Sequence, residues 1–131
     1  MIVVDASVVA DALVGPDERR HRAMGHLVRA RTVLAPTLLD AEVLSVLRKM
    51  TLSGALTAAR AAAALSDLAT FPVERLPLEP LLARAFELRD NLSAYDALYL
   101  ATAESVEATL LTRDGAFVHC PGRRVAIELL P

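Results

Sequence analysis

Met1-Ile2-Val3-Val4-Asp5 opens the chain with apolar residues that show no alternation, closed by a carboxylate. Such a run suits a strand covered on both faces, as parallel strands flanked by helices are. In an open α/β sheet, functional groups gather at the carboxyl ends of strands where the strand order reverses, so Asp5 has a structural address. A plainer role is also open. Asp5, or Ser7 two residues on, is a candidate N-cap for a helix through Val8-Val9-Ala10-Asp11-Ala12-Leu13.

The rest of the chain alternates in the same way. Val8 to Val14 reads as a short helix stopped by Gly15-Pro16. Asp17 to Ala30 is a second helix, with acids in its first turn, Met24, Leu27 and Val28 on one face, and its arginines outward. Thr32 to Ala35 is a second strand, and Pro36 separates it from a helix over Leu38 to Met50 whose buried stripe is Leu39, Val43, Leu47 and Met50. Gly54 ends that helix. Thr57 caps an alanine-rich helix, Ala58 to Ala69, with strong helix preference but few large packing groups, so a peripheral place is expected. Val73 to Leu76 is a third strand, the least regular because of its charges and nearby prolines. Pro80 suits the first turn of a helix over Leu81 to Arg89, and a capped helix follows from Asn91 to Glu104. Thr109 to Thr112 is a fourth strand, ending at Arg113-Asp114-Gly115, and Val125 to Leu129 is a last one. This order predicts a three-layer α/β/α sandwich with a central parallel sheet of about five strands, in a single domain over 1–131.

At 131 residues the chain can bury a good core without disulfides or a structural metal. Cys120 is the only cysteine, so no internal disulfide is available and a cytoplasmic home is expected. The longest stretch without a charge, Met50 to Ala59, is far below the ~18 apolar residues of a spanning helix, and the N-terminus does not read as a signal peptide. Hydrophobic residues make up 54% of the chain and mean hydropathy is +0.41, which predicts that some apolar surface meets a partner. A formal net charge of −2 argues against a general nucleic-acid coat, though not against a nuclease. Lys49 is the only lysine among 14 basic residues; the planar fork of the others suits phosphate.

Four acids stand out: Asp5, Glu42, Asp96 and Asp114. Each has an ordinary explanation. Glu42 could be a surface acid pairing with Lys49 across two turns; Asp96 follows Ser93 in a capping-box pattern; Asp114, like Asp5, could cap a short helix. Their joint placement is harder to explain so. Asp5 and Asp114 lie at the carboxyl ends of strands one and four, and Glu42 and Asp96 near the starts of helices, so all four should crowd one edge of the sheet. Carboxylates so placed repel one another unless cations bind or their pKa values rise. All-oxygen ligands suit Mg2+ or Mn2+, and a carboxylate-held hard cation in an open site is the usual apparatus of phosphodiester hydrolysis. Ser7 and Thr112, each two residues from an acid, are candidates to orient a carboxylate or a water. His21, His26 and His119 are scattered, no glycine-rich phosphate loop occurs, and no serine sits in a nucleophile elbow.

Val3-Val4-Asp5-Ala6-Ser7, Glu42-Val43-Leu44-Ser45-Val46-Leu47-Arg48, Ser93-Ala94-Tyr95-Asp96-Ala97-Leu98-Tyr99-Leu100-Ala101 and Leu111-Thr112-Arg113-Asp114 together resemble the PIN-domain ribonucleases, and among them the VapC-type toxins of bacterial toxin–antitoxin pairs. The resemblance implies a sheet with strand one in the middle beside strand four. It also implies an endoribonuclease whose acidic cluster, here Asp5, Glu42, Asp96 and Asp114, binds Mg2+ or Mn2+ and activates water, leaving 5′-phosphate and 3′-hydroxyl ends. Such toxins form homodimers and are silenced by a cognate antitoxin whose C-terminal segment fills the groove at the metal site. Some relatives carry a further acid after the position of Asp114, where this chain has Gly115-Ala116-Phe117, so the number of metals is open. Asp40, on another helix face, ranks below Glu42 as a ligand.

Arg48, Lys49 and Arg113 lie near the proposed ligands in sequence and are candidates to hold RNA phosphates; Arg19, Arg20 and Arg22 are candidates for a neighbouring face. Two other readings compete. In one the fold is a non-catalytic interaction module whose acids are caps. In the other it is a metal-dependent phosphotransfer domain resembling response-regulator receivers, which fits poorly because no acid pair stands at strand one.

Overall fold

The computed structural model describes residues 1–131. In order the elements are β1 (Ile2–Val4), α1 (Ala6–Val14), α2 (Asp17–Arg29), β2 (Val33–Pro36), α3 (Leu38–Leu52), α4 (Ala58–Thr70), β3 (Glu74–Leu76), α5 (Leu82–Glu87), α6 (Ala94–Ser105), β4 (Thr109–Thr112) and β5 (Ile127–Leu129). Short 3₁₀ turns at Glu79–Leu81 and Gly115–Phe117 precede α5 and follow β4. The strands form one parallel sheet in the order β3-β2-β1-β4-β5. Val3 pairs with Leu34 on one side and Leu110 on the other, so β1 is central and adjoins β4.

Chain direction explains the layers. From β1 the chain steps outward to β2 and β3, then returns past β1 to lay down β4. Right-handed crossovers place the helices of the outward steps on one face and those of the return on the other. Accordingly α1 packs on α2, α3 and α4, whereas α5 packs on α6. The strand order reverses between β1 and β4, and the crevice at that switch is where an α/β sheet accepts ligands.

Burial follows residue type. Val3, Val4, Leu110 and Leu111 are fully buried in the central strands. α6 is buried all round from Ala97 to Ala103, apolar but for Thr102, whose hydroxyl donates to the Leu98 carbonyl, and it packs against β1, β2 and β4. Each large side chain so enclosed contributes about 2 kcal/mol. That burial fixes Asp96, in the first turn of α6, relative to the sheet. No helix is long and apolar enough to cross a membrane.

Boundaries differ from expectation where caps decide them. α1 starts at Ala6 rather than Val8 because Asp5 is its N-cap. α6 starts at Ala94 rather than Asn91, because Ser93 is extended and its side chain accepts the Asp96 N–H. The helix expected over Leu81 to Arg89 divides into a 3₁₀ turn and a short α5. Met50 is only half-buried, since α3 runs past the edge of the core at that point. β3, with its two charged residues, is an edge strand.

Candidate active site

Asp5 leaves β1 in extended conformation and turns its carboxylate back on the start of α1. Oδ1 accepts from the Ser7 N–H at 3.1 Å, the Ser7 hydroxyl at 2.5 Å and the Val8 N–H at 3.3 Å. Oδ2 accepts from the Thr112 hydroxyl, which in turn accepts the Asp114 N–H at 2.9 Å. Thr112 therefore ties the two strand-end acids together. The capping role of Asp5 is real, but it does not explain a carboxylate only 6% exposed with no cation beside it. Burial pushes the Asp5 pKa up even against these donors.

Glu42 lies one turn into α3 and is half-buried. Burial raises its pKa, the nearby Tyr99 hydroxyl works against this, and the Asp96 and Asp5 carboxylates raise it further. Asp96 is raised by burial and then by Asp114, while its bond to Ser93 works the other way. The four acids thus feel one another in a chain, Asp5 to Glu42 to Asp96 to Asp114. Asp114 is exposed and caps the 3₁₀ turn, its Oδ1 accepting the Ala116 N–H at 2.8 Å. None of the four forms an ion pair, and Glu42 does not pair with Lys49.

No three of these side chains stand at ligating distance from a common point. Their chemistry nevertheless fits a hard divalent cation. The donors are all carboxylate oxygens, partly desolvated, mutually repelling and free of competing arginines, which is the condition a bound cation relieves. Asp40, by contrast, is held by Arg75 at 2.9 Å on another face.

The proposed phosphate contacts separate. Arg113 follows Thr112, and its guanidinium turns to Asp11 at 3.1 Å. Arg48 is exposed and lines an apolar groove between α3 and α4 with Leu44, Leu52 and Leu65. Lys49, seven residues from Glu42, is exposed on the same face of α3 two turns away.

Two participants were not singled out from the sequence. Asp11 is buried in α1, and an acid inside the apolar run Val8 to Leu13 was the available signal. Tyr99 is 1% exposed; its hydroxyl lies near Glu42 and Asp5 without reaching hydrogen-bond geometry, and burial pushes its pKa far up. Nothing in its sequence neighbourhood distinguishes Tyr99 from a core aromatic.

A family model of the PIN domain matches residues 2–122. The chain belongs to the PIN domain family. Among PIN-domain relatives, ribonuclease VapC3 of Mycobacterium tuberculosis is 46% identical over 114 residues, covering 86% of this chain and 82% of the relative. Ribonuclease VapC1 of the same organism is 39% identical over 129 residues, covering 98% and 96%. Solved PIN-domain structures share the fold: VapC20 of M. tuberculosis, a sarcin–ricin loop cleaving toxin, superposes with a TM-score of 0.73 at 19% identity over 92% of this chain and 95% of that one. FitAcB of Neisseria gonorrhoeae gives 0.73 at 23% identity over 97% and 96%.

Proposed function

We propose that this PIN domain is a Mg2+- or Mn2+-dependent endoribonuclease acting in the cytoplasm as the toxin of a toxin–antitoxin pair. The observation that carries the reading is the run of four acids at the β1/β4 switch without a single basic partner, in a chain whose relatives are named VapC ribonucleases. Asp5, Glu42, Asp96 and Asp114 would hold the metal. When bound, it supplies an activated water and charge stabilisation at the phosphoryl oxygens of an RNA phosphodiester, leaving 5′-phosphate and 3′-hydroxyl ends.

The chain's own residues perform the positioning. Ser7 and Thr112 fix the Asp5 carboxylate from both oxygens, so it enters the reaction without reorganising. Through Thr112 the loop carrying Asp114 moves with Asp5. Buried α6 fixes the approach of Asp96. Apolar surface remains for partners: Leu44, Leu52 and Leu65 edge one groove, and Leu82 and Phe86 edge another of about 640 Å3 beside the start of α6. A cognate antitoxin and a second copy of the chain are the partners proposed for these faces.

The test is mapping of new 5′-phosphate RNA ends after brief induction in a bacterial host, comparing wild type with Asp96→Asn. Ends at defined sites in wild type alone are expected. A non-catalytic module is the second reading, favoured by the caps that Asp5 and Asp114 do make; it requires that the folded protein bind no Mg2+ in a calorimetric titration.

A further inference from the structure

Behind the acidic edge, between α1, the start of α2, α3 and the loop after β4, lies a cavity of about 290 Å3. Its walls include Ser7, Asp11, Gly15, Arg19, Val46 and Arg113. Ser7 joins it to the acidic site, since its hydroxyl donates to Asp5 and accepts the Arg113 N–H at 3.3 Å. Asp11, its side chain 10% exposed, draws in two guanidinium groups: Arg113 at 3.1 Å and Arg19 at 3.9 Å. Two cations against one anion leave a positive charge in a concave, partly desolvated space, where attraction for an anion exceeds that at an open surface.

Three further features mark the cavity as built to receive a ligand. Arg113 Nε is buried and has no acceptor, a donor left unused by the Asp11 contact. Gly15 packs so closely that an added Cβ would meet the Asp11 carbonyl oxygen at 2.7 Å, so this wall stays free of a side chain. On α2 the neighbouring arginines are engaged elsewhere, Arg20 with Asp17 at 2.9 Å and Arg22 with Glu18 at 2.5 Å, on an exposed face; only Arg19 turns inward. The acids themselves repel a polyanion, so a nucleic-acid chain reaching them needs a cationic anchor close by. A guanidinium fork fits a phosphodiester's paired oxygens.

The geometry points to a phosphate subsite in which Arg19 and Arg113, braced on Asp11, hold a backbone phosphodiester of the RNA next to the one presented to the acids. Its ligand rests on the ribonuclease reading above. Arg48 and Lys49 lie outside this subsite.

The experiment uses the full chain without metal and a fluorescein-labelled single-stranded RNA oligomer, with anisotropy read over a series of salt concentrations. Arg19→Ala, at a side chain 38% exposed and tolerant of truncation, is expected to weaken binding roughly tenfold. It should also reduce the slope of log affinity against log salt by about 0.7, the loss of one phosphate contact. Arg113→Lys keeps the charge but loses the fork, so binding weakens while the slope holds. Arg20→Ala leaves both unchanged. Wild-type affinity and slope in Arg19→Ala overturn the subsite, as does absence of RNA binding by the wild type at low salt. Added Mg2+ separates this proposal from the reading beneath it. Arg19-dependent binding without cleavage leaves the subsite standing and removes the ribonuclease; cleavage with an Arg19→Ala variant of wild-type affinity, slope and KM does the reverse.

Discussion

The two ends of α6 each present an acid, and the surroundings treat them oppositely. At its last turn, Glu104 is gripped by Arg84 Nε at 2.6 Å and Nη2 at 3.2 Å and by the Arg124 N–H at 2.9 Å. Arg84 also donates to the Gly122 carbonyl at 2.8 Å and to Glu87 at 3.0 Å, which fastens α5, α6 and the loop before β5 together. At the first turn, Asp96 has one backbone–hydroxyl bond at its own N–H and other acids for company. An acid whose charge is matched by the fold contributes to stability. One left unmatched costs stability, and that cost makes sense where a ligand is to complete the match.

The sharpest way to break this contrast is to neutralise Asp96. Asp96→Asn is expected to lower RNA cleavage by about 10³-fold, by loss of one of the carboxylates proposed to hold the metal. The metal-free protein should melt at the same temperature or slightly higher, because the change removes a repelled, half-buried charge; a marked fall would place Asp96 among the structural acids. Glu104→Gln should do the opposite. Removing the more buried of Arg84's two anions, with Glu87 left in place, is expected to cost about 3 kcal/mol in urea denaturation, while cleavage per folded molecule is retained.

pH provides a third, smaller contrast. Asp5, Glu42 and Asp96 have folded pKa values above the unfolded 3.8 to 4.5, so the native state binds more protons than the unfolded chain. The stability they contribute is therefore full below those unfolded values and is lost as pH rises through the raised ones. Metal-free protein should show a higher Tm at pH 5 than at pH 7.5, with Mg2+ narrowing the gap. The smallest effect belongs to Tyr99→Phe. Removing a buried hydroxyl that sits beside Glu42 outside strict hydrogen-bond geometry should change stability by less than about 1 kcal/mol, by thermal melting of the metal-free protein.

What could be read from sequence was what short-range chemistry decides. The strand Thr109 to Thr112 lies where its apolar run placed it, and Asp5 and Asp114 sit at strand ends because strand and acid are contiguous. Within the stretch Asn91 to Glu104 the helix begins only at Ala94, where the capping pattern of Ser93 and Asp96 puts it. Pairs distant in sequence left no trace. Arg75 holds Asp40 from 35 residues away, and Arg84 reaches Glu104 across 20. Before folding, Glu104 looks like any acid near a helix end. The neighbours of Arg113 depend in the same way on α1 and α2 docking beside the β4 loop.

The bond from Thr112 to Asp5 spans 107 residues, and β1 finds its β4 partner only across that interval. At ordinary synthesis rates of about 5–20 residues per second, β1 waits on the order of ten seconds for the strand that completes its acidic edge. A chain stopped before β4 lacks Thr112 and Asp114, and the edge stays incomplete. The topology thereby makes the acidic edge a late product of synthesis, in being only once the first and fourth strands have both been made and paired.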